Sequence, residues 1–244
     1  DGIEQTAGGK TLATVSFRGF RIAIPIREML VLEDRMPSGR AYADYMNRLN
    51  RILGTMLGAE IDFIVKGIDS TTHSAVASRR EAMLRKRQTF YLGKDVSGNP
   101  YIYPGRLVEA RVIAVAEKVL RVEAFGIECA IFARDLSWQW VSDVRDLYSV
   151  GDRVLVRVQE ISGEDAEHLS IRADIRSTFS ETSVDNLKKC QVQSKYAGKV
   201  TDLRGGVVYI RLNNGVNAIA HTCYDSRMPG KKDDVSFAVT RLDE

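Results

Sequence analysis

Five short apolar runs between residues 105 and 176 set the tightest limit on what this chain can fold into. Residues 106–115, 119–124, 127–133, 151–161 and 168–176 have strand length and β-type composition, and turn residues separate most of them. The polar segment 134–148, which carries Trp138 and Trp140, falls between the third and fourth runs and is expected to be a short helical insert. Five strands with one insert in that place outline a small closed barrel.

Both flanks repeat this layout in altered form. The expectation is therefore a mainly β chain of three tandem five-stranded barrels with short helical inserts, over residues 1–98, 99–178 and 179–244. In the first unit Ala13, Val15 and Phe17 alternate with Thr14, Ser16 and Arg18, the period of a half-buried strand. Residues 20–26 follow, and Pro25 places that strand at an edge or an end. Tyr42, Tyr45, Met46, Leu49, Ile52 and Leu53 fall at helical spacing, with Ser38 as the expected N-cap. Residues 58–68 and 74–80 are the fourth and fifth strands, the last running into a basic stretch at 81–87. Residues 1–10 have no strand pattern and are expected to be a loop, which leaves this unit without an opening strand.

In the third unit 195–203, 205–212, 216–221 and 231–241 are expected strands, with Asn213, Asn214 and Gly215 as a hairpin turn. A closing strand is missing there. Residues 93–104 and 178–186 are polar, turn-rich linkers. A barrel short of a strand exposes backbone groups that proteins normally cover. With Asp1 rather than Met at the start, the expectation is a trimmed chain, or one whose gaps residues beyond it fill.

Charge is uneven along the chain. Residues 1–98 hold 15 Lys and Arg against 11 Asp and Glu, residues 99–178 hold 10 against 13, and residues 179–244 hold 10 against 8. A polyanion is therefore expected to favour the outer units. Cys129, Cys190 and Cys223 are odd in number and far apart, which fits a reducing, cytoplasmic setting. His221 lies two residues before Cys223 with no second pair to complete a zinc site, so neither metal nor cofactor is expected. The chain has three histidines, no P-loop and no Gly-x-Gly-x-x-Gly, and a non-enzyme is expected. No apolar run approaches the length of a membrane span.

The middle unit resembles the S-one RNA-binding domain family, an OB-fold repeat of the bacterial small ribosomal subunit. The resemblance rests on residues 122–138 (VEAFGIECAIFARDLSW), 148–158 (YSVGDRVLVRV) and 169–172 (LSIR). The third unit is similar through 198–201, 206–212 and 215–221, and the first through 24–28, 58–61 and 78–80. Membership implies OB-fold barrels that bind single-stranded RNA, mRNA or rRNA, in translation or mRNA handling, with the ribosome as a further partner. It also implies where the RNA lies: on aromatics of the second strand and a His of the third, with basic groups near the last.

Carried over by position, this implies Tyr209, His221 and Arg211 in the third unit, with Lys199 and Arg204 as phosphate contacts. The unit's other expected aromatic falls near Gly206, a departure. In the middle unit Lys118 and Arg121 stand where aromatics are expected, Phe132 replaces the His, and Arg172 keeps the closing basic position. In the first, Pro25 takes the His position, and Arg79 and Arg80 supply cations. Such a platform is worth about 1–3 kcal/mol per stacked base without demanding a sequence, and its cations make binding salt-dependent.

Each residue has a plainer reading. Tyr209 packs against a neighbouring unit, Phe132 belongs to a core, and Lys118, Arg121 and the 79–87 cluster are solvated charges. Of Trp138 and Trp140, one is expected in the core and the other at an interface. The rival function is a protein-interaction module that docks on a ribosome or nucleoprotein without gripping RNA. A remoter rival is the targeting part of a larger nuclease or polymerase.

Overall fold

Period-two patterns pair into three sheets, one per segment. The computed structural model describes residues 2–6, 11–31, 38–179, 182–204, 206–221 and 227–242. The first sheet comprises β1 (Gly2–Gln5), β2 (Thr11–Phe17), β3 (Phe20–Pro25), β4 (Ile64–Asp69) and β5 (Ser74–Ser78), in the order β1-β2-β3-β5-β4. All its neighbours are antiparallel except β3 and β5, which run parallel. The second holds β6 (Leu107–Val115), β7 (Val119–Ala124), β8 (Ile127–Phe132), β9 (Arg153–Ser162) and β10 (Ser170–Asp174), in the order β10-β9-β6-β7-β8.

Numbered one to five within each unit, both sheets are the same ring, 1-2-3-5-4, opened at different seams. In the middle unit the third and fifth strands, β8 and β10, still lie side by side, so the sheet is almost closed. This is the OB-fold arrangement. The third sheet holds β11 (Lys195–Arg204), β12 (Val207–Leu212), β13 (Asn217–Ala220) and β14 (Asp234–Ala238), in the order β13-β12-β11-β14. It supplies ring positions 3-2-1-4 among the described residues.

Several local expectations need correction. The opening strand of the first unit exists: β1 pairs with β2 from Gly2 opposite Thr14 to Gln5 opposite Thr11. Four residues joined by backbone hydrogen bonds carry too little side-chain alternation to be seen. Helix α1 (Arg40–Gly54) starts after Gly39, not Ser38, and no side chain caps it. The expected insert at 134–148 is no α-helix, but two single 3-10 turns at Ala133–Asp135 and Val144–Asp146. The second expected linker runs into a short helix at Thr182–Leu187.

The basic stretch is a helix, Arg79–Arg87, that grows directly out of β5. Ser78 caps it by accepting a hydrogen bond from the Glu81 backbone N–H at 3.0 Å, the Ser-x-x-Glu spacing of a capping box. With no loop between strand and helix, Arg79 points into the seam between the first two units. That seam is dry. Ile113 of β6 joins the core of the first unit, beside Ile24, Leu49 and Leu53. The β7–β8 turn passes so close to the Arg79–Arg87 helix that a Cβ at Gly126 (φ +88°) would collide with the Met83 carbonyl. The middle unit keeps its own core around Val112, Leu120, Val122, Ile131, Val144 and Val156. The third has two small clusters, one around Leu212 and Val216 and one around Val200, Val208 and Ile210.

Candidate nucleic-acid interface

The predicted residues fall into two groups by their place in the fold, and both include cations with a carboxylate nearby, among them Lys118 with Glu117 at 3.4 Å and Lys199 with Asp234 at 3.7 Å. Arg79 is fully buried (0%) and donates to Glu123, to Glu128 at 2.9 Å and to the Met29 carbonyl at 2.7 Å. Glu123, 3% exposed, also accepts from Arg111 at 2.9 Å, and Arg111 and Lys86 share Asp62. Burial opposes the charge on Arg111, but Glu123 and Asp62 outweigh it and its pKa moves up. Arg80 pairs with Glu167 at 2.6 Å, Arg121 pairs with Glu128, and Arg172 with Glu160 at 3.3 Å. Arg79 thus presents no surface to a polyanion, against the sequence expectation. Arg80, Arg121 and Arg172 meet carboxylates first.

The second group converges on Trp140. This side chain is 45% exposed, and its indole stacks on the Tyr209 ring with centroids 5.3 Å apart and planes 11° apart. Neither tryptophan is core: Trp138 is half-buried, donates to the Phe179 carbonyl at 3.3 Å and carries the Arg176 guanidinium over its ring. On one side of Trp140 lies a cleft of about 380 Å³ lined by Lys118, Phe132, Arg134 and Gln139. Phe132 is 50% exposed, with Arg134 over its ring at 5.9 Å, so it is not core either. Lys118 donates to the Ser142 carbonyl.

On the other side lies a cleft of about 440 Å³ that includes Lys199, Arg211, Lys231 and Lys232. Lys199 and Arg211 face each other in the β11–β12 register, and Arg211 alternates onto the same strand face as Tyr209. Asp143 and Asp146 also line this cleft. Hydrogen bonds from Arg145 pull the Asp143 carboxyl down to about 2, so it stays ionised. Lys231 sits 3.7 Å from Asp146 and 3.2 Å from the Ser142 hydroxyl, tying the third unit to the middle one.

Of the predicted set, Phe132, Lys118, Tyr209, Lys199 and Arg211 come together around Trp140. His221 is exposed just beyond β13 and lines neither cleft. Arg204 ends β11, and its side chain lies outside the described residues. Sequence reasoning missed Gln139, Arg134, Lys231 and Lys232, and did not choose between the two tryptophans. A Trp in a polar segment and a Lys-Lys pair were the available signals, and their meeting in one cleft was not readable from the sequence. Among the described residues no group of three His, Cys, Asp or Glu could hold a metal ion, and no helix is long and apolar enough to cross a membrane.

Comparison with known proteins meets this geometry at the middle unit. The S1 RNA binding domain family matches residues 102–172. Small ribosomal subunit protein bS1 of Coxiella burnetii is 21% identical over 99% of this chain and 41% of that protein. The Mycobacterium tuberculosis protein of the same name is 22% identical over 70% of this chain and 34% of its own length. The chain thus spans about two fifths or less of these relatives. A chain of the a/eIF2alpha–aDim2p–rRNA complex from Pyrococcus horikoshii is 20% identical, with a TM-score of 0.29 over 36% of this chain and 53% of that one. Residues 102–172 are thus similar to the S1 RNA binding domain family, within a mainly β chain similar along its length to bacterial small ribosomal subunit protein bS1.

Proposed function

We propose that this chain binds single-stranded RNA along the face that runs from Phe132 across Trp140 to Tyr209 and Lys199, and that it acts without catalysis in translation or mRNA handling on the ribosome. The observation that carries the reading is that Trp140 walls two adjacent clefts while stacking on Tyr209. Exposed aromatics offer π-faces to unpaired bases. Lys118, Arg134, Lys199, Arg211, Lys231 and Lys232 line the same two clefts and would neutralise phosphates. The S1-family match at 102–172 and the similarity to bS1 point the same way.

A second reading, docking on a ribosomal or nucleoprotein partner without an RNA grip, is favoured by the pairing of Arg79, Arg80, Arg121 and Arg172 with carboxylates. Filter binding of single-stranded RNA, single-stranded DNA and duplex at two salt concentrations separates the two. RNA binding predicts retention of single strands that weakens steeply with salt. Salt-independent or absent retention, together with a protein partner that survives nuclease treatment, would leave the second.

A further inference from the structure

We propose that the turn from Ser142 to Asp146 of the middle unit is a built-in competitor for RNA: Asp146 holds the Lys231 ammonium of the third unit until a phosphate displaces it. This rests on the RNA-binding reading above and adds what limits its strength.

The turn is anchored on the middle barrel. Val144 is fully buried (0%) in the middle core, and its backbone N–H donates to the Glu117 carbonyl at 2.9 Å. Lys118 donates to the Ser142 carbonyl. Asp143 spends its charge inside the turn, accepting from the Arg145 backbone N–H at 2.9 Å and from its guanidinium at 2.7 Å. Asp146 faces the third unit instead. Its Oδ2 lies 3.7 Å from Lys231 Nζ, and that ammonium also donates to the Ser142 hydroxyl at 3.2 Å. Lys199, Arg211, Lys231 and Lys232 share this cleft of about 440 Å³ with Asp143 and Asp146, so its pull on a polyanion is partly offset before RNA arrives. A carboxylate and a phosphate draw on the same ammonium donors, and the anchored turn keeps its carboxylate in the cleft. The Asp146–Lys231 contact is loose and solvated, which makes it worth little to the fold. Its effect falls on binding, because a phosphate at Lys231 must first replace it. By linkage, whatever affinity the contact takes from RNA, bound RNA takes from the contact.

The test is fluorescence anisotropy of the whole chain with a labelled oligouridylate at two salt concentrations. Asp146→Asn should bind about three-fold more tightly than wild type at low salt, within what an exposed ion pair is worth. That gain should shrink as salt screens the contact. Asp146→Glu, which restores the charge, should stay near wild type. In a Lys231→Gln background Asp146→Asn should bring no gain, because the contested ammonium is gone. Glu164→Gln removes the same charge from the exposed β9–β10 turn, outside both clefts, and should change nothing. Unchanged affinity in Asp146→Asn overturns the proposal, and so does weaker binding, which would make the contact an organiser of the site. A gain that persists undiminished without Lys231, or that Glu164→Gln matches, overturns it as well, since either marks a general effect of net charge. RNA binding itself stands in all these cases. Failure of the wild type to bind the oligouridylate removes both readings.

Discussion

The two seams of this molecule are built from different chemistry. Between the first and middle units, Arg79, Arg111, Glu123 and Asp62 form an ion-pair network on the margin of a shared apolar core that Ile113 enters. Between the middle and third units, an exposed aromatic stack and Lys231 make the bridge, with open clefts on either side. Charges in the first seam satisfy one another in low dielectric, where removing a partner is costly. Charges in the second stay in contact with water, where a polyanion can replace one weak partner with another at little cost. A basic residue count does not distinguish these situations; burial does.

Breaking the first seam should have the largest effect. Arg79→Ala leaves Glu123 buried without its main partner, and stability should fall by about 3–5 kcal/mol. Denaturation followed by tryptophan fluorescence reads this out, because both tryptophans lie in the middle unit. RNA affinity of the folded fraction should not change. Trp140→Ala should do the reverse. It removes a stack worth about 0.5–1.5 kcal/mol between units and should weaken single-stranded RNA binding about ten-fold, within the ~1–3 kcal/mol expected per stacked base. Tyr209→Ala should cost several-fold, less than Trp140→Ala, since Tyr209 is half-buried beneath the indole.

Lys231→Gln should lower the salt slope of binding by about one unit and leave the fold intact. Acid should act mildly, on the first seam and on the exposed carboxyls that are also held down, Asp143 among them. Burial raises the pKa of the Asp62 carboxyl, but Lys86 and Arg111 outweigh that and hold it below its ordinary 3.8. A depressed carboxyl stabilises the fold fully above its unfolded value, and that contribution is lost as pH falls through the folded one. Thermal melts should therefore be flat above pH 5 on this account and decline below about 4. A decline setting in near neutrality would point to another group.

Strands were legible because side chains alternate with a period of two, and the middle barrel was plain for that reason. Gly2–Gln5 was not, since its pairing is made by backbone groups. Ser78 and Glu81 carried a capping signature, so the helix start was readable in principle. The partners of Arg79 were not, because Glu123 and Glu128 lie more than forty residues away and meet it only once two units pack. Tyr209, Lys199 and Arg211 could be placed on one face from strand register. Trp140 could not be told from Trp138, because which of them faces outward depends on irregular turns that no periodicity describes.

RNA lying across the seam between the middle and third units is the central claim. Ultraviolet cross-linking of a bound oligouridylate, mapped by mass spectrometry, tests this most directly. Cross-links should fall at Phe132, Trp140 and Tyr209. Cross-links concentrated in the Arg79–Arg87 helix or on the first sheet would contradict it.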